Sequence, residues 1–337
     1  METRSTASRK SSASNGKVAI DRAMAAVEAG DLSGAAGILR EAVEEHREDE
    51  GLNFELGYLL LELGDEAGAR IHLEKAVALA PEKNAKKFFA LSEVLPPNEA
   101  IFVVQKGLNV GLSELDALEA RLLALQSAET PEKVKLSRKQ AKLRRVIAQG
   151  YCKLAESEAM INGGNFNLLD ITNRAIAMDP SYLEPYLHLL THHFNLNETA
   201  KTQELIQYLL TKIKELDNDE DDDLHTYDPE FYNAVARMML EEQKFAEAQE
   251  WLEIAVTVAG QDLNTRYLLA YVAFKNEDFP TVKDEVAELE KLGVWNCGDE
   301  ELVEGFRELK GEVDAKVKVD GPDDEDWEEI DDEEFGE

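Results

Sequence analysis

Apolar residues along most of the chain recur every three to four positions, which is the period of an amphipathic helix. Residues 50–81 contain two such stretches, separated by Gly64 and Asp65. The same pattern is present 34 residues earlier. The matching pairs are Gly30 with Gly64, Ala35 with Ala69, Leu39 with Leu73 and Ala42 with Ala76. Two adjacent copies in one register predict a tandem repeat of helical hairpins.

The order of residues within a copy indicates the class of repeat. In the second copy Leu56 and Gly57 precede Leu60, and the copy ends at Pro81. This order resembles the tetratricopeptide repeat, in which small residues let two antiparallel helices approach and large ones fill the layer between repeats. The pattern predicts an all-α fold, a tetratricopeptide-repeat solenoid coiled as a right-handed superhelix, with the first helix of each repeat lining the concave face.

Diverged copies follow, and we predict about seven repeat units over residues 16–298. Their signals are the sets Ala248, Leu252, Ala255 and Val282, Val286, Leu289, the pair Ala175 and Pro180, and the segments 84–112 and 183–216. Residues 299–318 form one more amphipathic stretch, which predicts a C-terminal capping helix. Its apolar face consists of Leu302, Phe306, Leu309 and Val313.

Three segments do not fit the repeat. Residues 1–15 are rich in Ser, Thr and Ala, and they predict a disordered N-terminal segment. Residues 215–223 read ELDNDEDDD, which predicts an acidic loop between two repeats. Residues 320–337 contain twelve acids and no base, which predicts a disordered acidic C-terminal tail.

The net charge of −34 indicates which partners to expect. Such a field repels nucleic acid and anionic membranes and attracts basic proteins, so we expect no direct nucleic-acid partner and no membrane partner. No apolar run is long enough to cross a membrane, and the N-terminus lacks the apolar stretch of a secretory signal. Only Cys152 and Cys297 are present, so no disulfide framework is expected. These features favour the cytoplasm and the nucleus.

No arrangement of residues predicts catalysis, a cofactor or a metal site. The sequence contains neither a phosphate-binding glycine motif nor a nucleophile elbow. His188 and His192 are four apart on a helix, with His193 adjacent, a spacing that zinc sites use. No HExxH glutamate and no cysteine complete such a site, so we interpret the three histidines as packed or surface residues. We therefore expect a protein that is not an enzyme.

The concave face is then the expected binding surface. Its side chains combine aromatics with acids, which suits a basic peptide because carboxylates pair with Lys and Arg while rings accept their stems or guanidinium planes. The predicted partner-binding residues are Phe54, Tyr58, Glu62, Glu230, Asn233, Arg237, Glu241, Tyr267, Tyr271 and Phe274, with Trp327 and Phe335 in the tail. Co-chaperones that clamp an acidic C-terminus use Lys and Asn in this groove. The first repeat has Ile20 and Met24 instead, so we exclude that function.

The diverged repeats, an Asn-Gly-Lys start at residues 15–17, the acidic loop and a tail reading DDEDWEEIDDEEF together resemble a known family. They are similar to the fungal dedicated assembly chaperones of large-subunit ribosomal protein L four, over essentially the whole chain. The resemblance implies a protein that captures a newly made basic ribosomal protein, shields its long internal loop and escorts it to the nucleus. A nuclear import receptor is then a further partner. Two alternatives are a scaffold subunit of a multiprotein complex and an acidic histone chaperone.

One basic stretch differs from the rest of the chain. Residues 133–145 read KVKLSRKQAKLRR and contain seven bases and no acid. Such a stretch is typical of a nuclear localisation patch or an RNA contact. We favour the interpretation that it forms a helical face paired with the protein's own acids, because the surrounding field is so negative.

Overall fold

The structure of the protein is a computed structural model that describes residues 3–125, 130–162, 167–217, 229–258 and 260–320. Within these ranges all regular structure is helical, and the predicted all-α fold is confirmed. None of the described helices combines the length and the apolar character needed to span a bilayer. Most of the acidic loop and the tail from residue 321, with Trp327 and Phe335, lie outside the described residues.

The helices follow one another with short connections. They are α1 (Thr3–Glu28), α2 (Leu32–Glu45), α3 (Glu50–Glu62), α4 (Glu66–Leu79), α5 (Lys86–Glu93), α6 (Pro97–Ala124), α7 (Pro131–Asn162), α8 (Leu168–Met178), α9 (Glu184–Asn195), α10 (Thr199–Asp217), α11 (Pro229–Glu241), α12 (Phe245–Val258), α13 (Leu263–Lys275), α14 (Phe279–Lys291) and α15 (Glu300–Asp320), with a 3₁₀ turn at Val294–Asn296 before α15.

The chain divides into two compact units, residues 1–189 and 190–337, with the boundary inside α9. In the first unit the pairs α1–α2, α3–α4, α5–α6 and α7–α8 pack as successive hairpins. In the second unit the pairs α11–α12 and α13–α14 do the same, and α15 packs against α13. Each unit is thus a stack of helical hairpins, as the repeat pattern predicts.

A left-handed residue makes the turn inside the repeat hairpins compact. Gly30 and Gly64 have φ angles of 80° and 75°, which glycine adopts without strain because it has no Cβ. The aspartate that follows each glycine caps the next helix. Asp31 Oδ1, for example, accepts a hydrogen bond of 2.7 Å from the backbone N–H of Gly34. The same local chemistry at a spacing of 34 residues therefore sets the repeat register.

The core of the first unit consists of the positions that define the repeat. Its buried residues include Ala35, Leu39, Leu52, Leu56, Leu60, Ala69, Leu73 and Ala76. Lys87 is also completely buried. Its Nζ lies 2.9 Å from Glu50 Oε1 and 2.6 Å from the carbonyl oxygen of Ala80. This ion pair and hydrogen bond satisfy a charge that would otherwise be costly to bury.

The core of the second unit joins its last two hairpin helices to α15. Leu302, Phe306 and Leu309 of α15 are buried in one cluster with Val282 and Leu289 of α14. Further back along the unit, the fully buried Trp251 donates its indole N–H to the carbonyl oxygen of Tyr232 at 2.9 Å. Three of the four residues of the apolar face of α15 are therefore buried in packing, and Val313 is partly buried beside them.

Two regions differ from the expected organisation. Helix α1 begins at Thr3, although we expected residues 1–15 to be disordered; no glycine or proline interrupts residues 3–15, so helical hydrogen bonding continues through them. Helices α6 and α7 are 28 and 32 residues long, about twice the length of a repeat helix. Their excess length, residues 112–125 and 130–144, forms a two-helix extension that we call the arm.

Candidate partner-binding surface

The helices α11, α13 and α15 of the second unit enclose a cleft of about 870 Å³. Its lining residues are Arg237, Asn264, Tyr267, Leu268, Asp299, Glu300, Glu301, Leu302, Glu304, Gly305 and Glu308. Five of these are acids and one is a base. Because the walls of a cleft focus the field of the charges that line it, this cleft favours cationic ligands.

Helix α15 and the residue before it supply all five acids. Glu301, Glu304 and Glu308 are exposed, and their spacing of three and four residues places them on one side of the helix. We call these three residues the acidic face. Asp299 has a different role, because its Oδ1 accepts a hydrogen bond of 3.0 Å from the N–H of Leu302 and caps the helix. The buried apolar side of α15 holds the acidic face toward the cleft.

A glycine in α15 lets the helix approach Tyr267. A Cβ added at Gly305 would lie 2.5 Å from the Tyr267 hydroxyl oxygen. The Tyr267 ring is half-buried, and its centroid lies 6.4 Å from that of Tyr271. Burial raises the pKa of Tyr267, and the neighbouring Tyr271, Glu308 and Glu312 raise it further. The cleft therefore presents an aromatic ring with a protonated hydroxyl next to carboxylates.

The first unit has a smaller patch of similar character on α3. Tyr58 is 47% exposed, and Glu62 is exposed one helical turn further on. Burial raises the pKa of Tyr58, and the negative charges of Glu62 and Glu93 add to this shift. Burial also raises the pKa of Glu55, although Lys86 opposes the change. These shifts indicate a partly desolvated and locally negative surface.

Three of the predicted partner-binding residues face inward and need correction. Phe54 and Phe274 are buried in the apolar clusters of their respective units. Asn233 is also buried; its amide donates to Asp262 Oδ2 at 3.1 Å and accepts from Thr265 Oγ1 at 2.9 Å. The repeat register assigns all three to the concave side, but a first helix also packs against the next first helix. Their contacts are therefore structural.

The other predicted residues on helices are accessible to a partner. Glu230, Arg237 and Glu241 are exposed on α11. Tyr271 is half-buried, and Lys275 Nζ lies 4.9 Å from its ring centroid. Arg237 and Tyr267 meet in the cleft, whereas Glu230 and Glu241 do not line it. Their role in partner binding stays a prediction.

The histidines noted in the sequence have separate surroundings. His188 Nε2 lies 3.9 Å from Glu156 Oε1, and with Glu184 these residues bring three possible metal ligands within 4.8 Å of one another. Burial, assisted by Lys153, lowers the pKa of His188 to about 4, so its imidazole is neutral and able to bind a metal. However, Lys153 Nζ is only 3.8 Å from Glu156 Oε2 and would compete with a cation. His193 instead hydrogen-bonds a carboxylate five residues further on. The absence of a metal stays a prediction.

Sequence reasoning missed the acidic face of α15. We interpreted residues 299–318 as a cap because their apolar positions already explained the helix. The signal was nevertheless present, since Glu301, Glu304 and Glu308 recur at helical spacing on the opposite side. What the sequence did not show is that α15 packs beside α13 and so completes the cleft.

Comparison with known proteins identifies the repeat and the fold. The tetratricopeptide-repeat family model matches residues 26–90. No curated protein sequence matches the chain. Two solved structures are similar at TM-scores below 0.5: a tetratricopeptide repeat protein from Parabacteroides merdae (TM-score 0.44, 13% identity, 88% of this chain and 99% of that chain), and the APC/C hetero-tetramer Cut9–Hcn1 (TM-score 0.49, 11% identity, 85% of this chain and 48% of that chain).

A further solved structure is similar at a higher score. It is the assembly chaperone of RpL4 (Acl4), residues 1–338, with a TM-score of 0.61 and 18% identity over 80% of this chain and 99% of that chain. The sequence-based resemblance to assembly chaperones is thereby confirmed for the fold. The chain contains tetratricopeptide repeats and has a structure similar to that of the assembly chaperone of RpL4.

Proposed function

We propose that the protein is a chaperone that binds a basic ribosomal protein of the large subunit. The observation that carries this proposal is the acidic face of α15, Glu301, Glu304 and Glu308, beside the ring of Tyr267 in a cleft that contains one base. Carboxylates pair with Lys and Arg side chains, and an aromatic ring accepts their apolar stems or guanidinium planes. The fold shared with the assembly chaperone of RpL4 supports a ribosomal protein as the client.

The client segment that suits this surface is an extended basic loop. A loop that is ordered only against ribosomal RNA carries many Lys and Arg residues, and without RNA it binds stray polyanions or aggregates. Carboxylates in the cleft take the place of phosphates. The patch of Tyr58 and Glu62 on the first unit offers a separate contact of the same chemistry for basic side chains. Release then requires a stronger polyanion, such as ribosomal RNA.

The proposal includes the path of the client. A net charge of −34 keeps the complex of chaperone and basic client soluble while the client is away from RNA. We extend the proposal to escort from the cytoplasm to the nucleus, with an import receptor as the further partner. The resemblance of the sequence to assembly chaperones supports this extension.

The direct test measures binding of a Lys- and Arg-rich peptide from the RpL4 loop. The combined variant Glu301→Gln, Glu304→Gln and Glu308→Gln keeps side-chain size and helix propensity but removes three charges. We expect the affinity to fall about 100-fold or more, because pairing with charged groups contributes about 1 kcal/mol or more for each of the three contacts in a partly desolvated cleft. The circular dichroism spectrum should not change.

The matched control removes three exposed acids from the second helices of the same unit. The variant combines Glu250→Gln, Glu253→Gln and Asp284→Asn, on α12 and α14. It changes the net charge equally, and its affinity for the peptide should stay within about threefold of the unmodified chain. An equal loss in both variants would show that only net charge matters and would contradict the cleft as the binding site.

The class of client is tested by capture of partners from a cell lysate with the full chain, followed by mass spectrometry. A large-subunit ribosomal protein captured by the unmodified chain, and lost with the α15 variant, supports the proposal. Recovery of histones, or of a stable complex that survives high salt, would contradict it.

A further inference from the structure

The arm projects from the hairpin stack of the first unit, and Arg145 marks the point where α7 enters that stack. Between residues 131 and 144 only Leu136 is buried, whereas Arg145 begins a run of buried positions. Arg145 Nε donates to Asp179 Oδ2 at 2.5 Å, and its guanidinium lies 4.8 Å from the centroid of the Tyr182 ring. The N-terminal half of α7 packs along α6 and leaves its other side to solvent.

That solvent-facing side is a row of bases. Lys135, Arg138, Lys139 and Lys142 are all exposed. Their spacing places them on one side of α7 over about 10 Å of helix length. We call these four residues the basic face. None of them forms an ion pair with any residue that the structure describes.

Two acids of the arm that lie in or close to α7 are bonded to residues outside the basic face. Glu119 of α6 accepts hydrogen bonds from Gln140 at 2.9 Å and from Arg144 at 2.7 Å. Glu132 pairs with Arg121 at 3.2 Å. Within the described part of the chain, the expected pairing of residues 133–145 with the protein's own acids therefore applies to Arg144 and Arg145, and it does not extend to the basic face.

We propose that the basic face is a docking surface for the phosphate backbone of RNA. Positive charge concentrated along one side of a helix is the electrostatic footprint of nucleic-acid binding. A protein partner is disfavoured because the four side chains include no aromatic or apolar residue, and protein interfaces depend on such buried groups for most of their affinity. A polyanion needs no such group, because its affinity comes from the release of condensed counterions.

RNA binding at the basic face differs from the expectation, based on the net charge, that the chain has no direct nucleic-acid partner. The arm, residues 112–125 and 130–144, contains seven bases and four acids, and six of the seven bases lie on its α7 half, which contains one acid. At physiological salt the Debye length is about 8 Å, so acids further away than this are largely screened from the basic face. The local charge of the arm then decides whether RNA approaches it. The basic face would let the chain contact RNA through residues that take no part in the acidic cleft.

The test uses a fluorescein-labelled single-stranded RNA of about 20 nucleotides, long enough to cover such a surface. Fluorescence anisotropy with the full chain at about 0.1 M salt measures the affinity. The combined variant Lys135→Gln, Arg138→Gln, Lys139→Gln and Lys142→Gln should bind about 100-fold more weakly. The slope of log affinity against log salt should also fall by about 3, because roughly four phosphate contacts are lost.

The control neutralises four exposed bases that are already ion-paired with neighbouring acids. It combines Arg40→Gln, Arg174→Gln, Lys201→Gln and Lys291→Gln. This variant has the same net charge as the first, and its RNA affinity should change less than about threefold. Binding of the RpL4 loop peptide should be the same for both variants and for the unmodified chain, which separates loss of the RNA surface from unfolding and from failure of the proposed client site.

Three results would overturn the inference. The first is an unmodified chain that does not bind the RNA even at about 0.05 M salt, where phosphate contacts are strongest. The second is an equal loss of RNA affinity in the two variants. The third is an unmodified chain that binds a polyglutamate peptide or an import receptor through the basic face more tightly than it binds the RNA.

Discussion

The charged residues of the acidic face of α15 and of the basic face of α7 have nearly the same spacing along their helices. The opposite sides of the two helices differ in how much apolar surface they bury. On α15, Glu301, Glu304 and Glu308 stand opposite an apolar side that is buried against α13 and α14. On the arm, Lys135 to Lys142 stand on a helix in which Leu136 is the one buried residue between 131 and 144. The first face borders a cleft, and the second projects into solvent.

Because one face borders a cleft and the other is open to solvent, we expect partners to lose different amounts of water when they bind. A partner in the cleft loses water at its contacts, because the cleft walls and Tyr267 enclose it, and charge pairing is stronger in such an environment. A partner on the arm keeps most of its water, so its affinity depends on the number of charges and on salt. We therefore expect shape and aromatic contact to matter for α15, and charge number alone to matter for α7.

The largest expected effect concerns the ion pair at the base of the arm. Arg145 and Asp179 are almost fully buried. Asp179→Asn leaves the Arg145 charge without its carboxylate, so we expect a loss of about 3 kcal/mol in the free energy of unfolding at pH 7. Urea unfolding measures this loss. The control is Asp170→Asn, which removes an exposed ion pair with Arg174 and should cost less than about 0.5 kcal/mol. Similar losses in both variants would contradict a special role for the buried pair.

The same pair predicts a pH dependence. Burial favours the protonated form of Asp179, but hydrogen bonds from Arg145 and Ser181 outweigh this and lower its pKa on balance. A carboxyl group whose pKa is lowered by folding stabilises the protein fully above its unfolded pKa, and this contribution is lost as the pH falls through the folded pKa. The stability difference between Asp179→Asn and the unmodified chain should therefore be constant from about pH 7 to 5 and shrink below about pH 4.

Salt should weaken binding at the acidic face and at the basic face to different extents. Between about 0.1 and 0.5 M salt, the affinity for the RpL4 loop peptide should fall about tenfold, as the Debye length shortens. The affinity for RNA should fall more steeply, about 100-fold, because four phosphate contacts release counterions. Isothermal titration calorimetry and anisotropy measure the two slopes. A peptide affinity that ignores salt would indicate binding through Tyr58, Tyr267 and Tyr271 rather than through carboxylates.

A smaller effect tests the close approach of α15 to Tyr267. Gly305→Ala places a methyl group against the tyrosine hydroxyl, so the helix or the ring must shift. We expect a loss of about 1–2 kcal/mol in the free energy of unfolding and peptide binding that is weaker by about fivefold. Adding Tyr267→Phe removes the hydroxyl and should restore most of the stability. If Tyr267→Phe restored no stability, the contact between Gly305 of α15 and Tyr267 of α13 would not be the cause of the stability lost in Gly305→Ala.

The smallest effect on stability should come from removal of residues 321–337. From the sequence we expect this tail to be disordered, so its loss should change the free energy of unfolding by less than about 0.5 kcal/mol. Binding of the loop peptide should survive, whereas full-length client should aggregate more at the same chaperone ratio, because a polyanion contacts many basic sites weakly. If the truncation abolished peptide binding, the tail rather than the cleft would be the recognition element.

The repeat class and the hairpin turns were predictable because they depend on residues close together in the chain. Gly30 and Gly64 start their turns through their own backbone freedom, and each following aspartate caps the next helix by accepting a hydrogen bond from the N–H three residues further on. Later repeats hold Gln243 and Glu277 at φ angles of 57° and 61° in the same place. The spacing around these two residues was recognisable from the repeat, although neither residue by itself signals a left-handed turn.

Which functional side chains are accessible was not predictable from the same pattern. The repeat register assigned Phe54, Asn233 and Phe274 to the concave side, and the neighbouring helices bury all three. The burial of Lys87 was equally invisible, because its partner Glu50 is 37 residues away. Whether a side chain is buried depends on both of the surfaces that pack together, whereas the helical period of 3.6 residues describes only the surface that carries the side chain.

The sequence by itself determined the helical repeat, the spacing of charges along each helix and the sign of the overall field, because each follows from local order and composition. The tertiary structure alone decided that α15 completes an acidic cleft, whereas the first half of α7 projects with the four bases of its basic face outside any ion pair among the described residues. The physical reason is that the role of a charge depends on its neighbours. The buried apolar side of α15 and the ring of Tyr267 place the carboxylates in the wall of a cleft, whereas among the described residues no acid pairs with the basic face, which leaves it open to a polyanion.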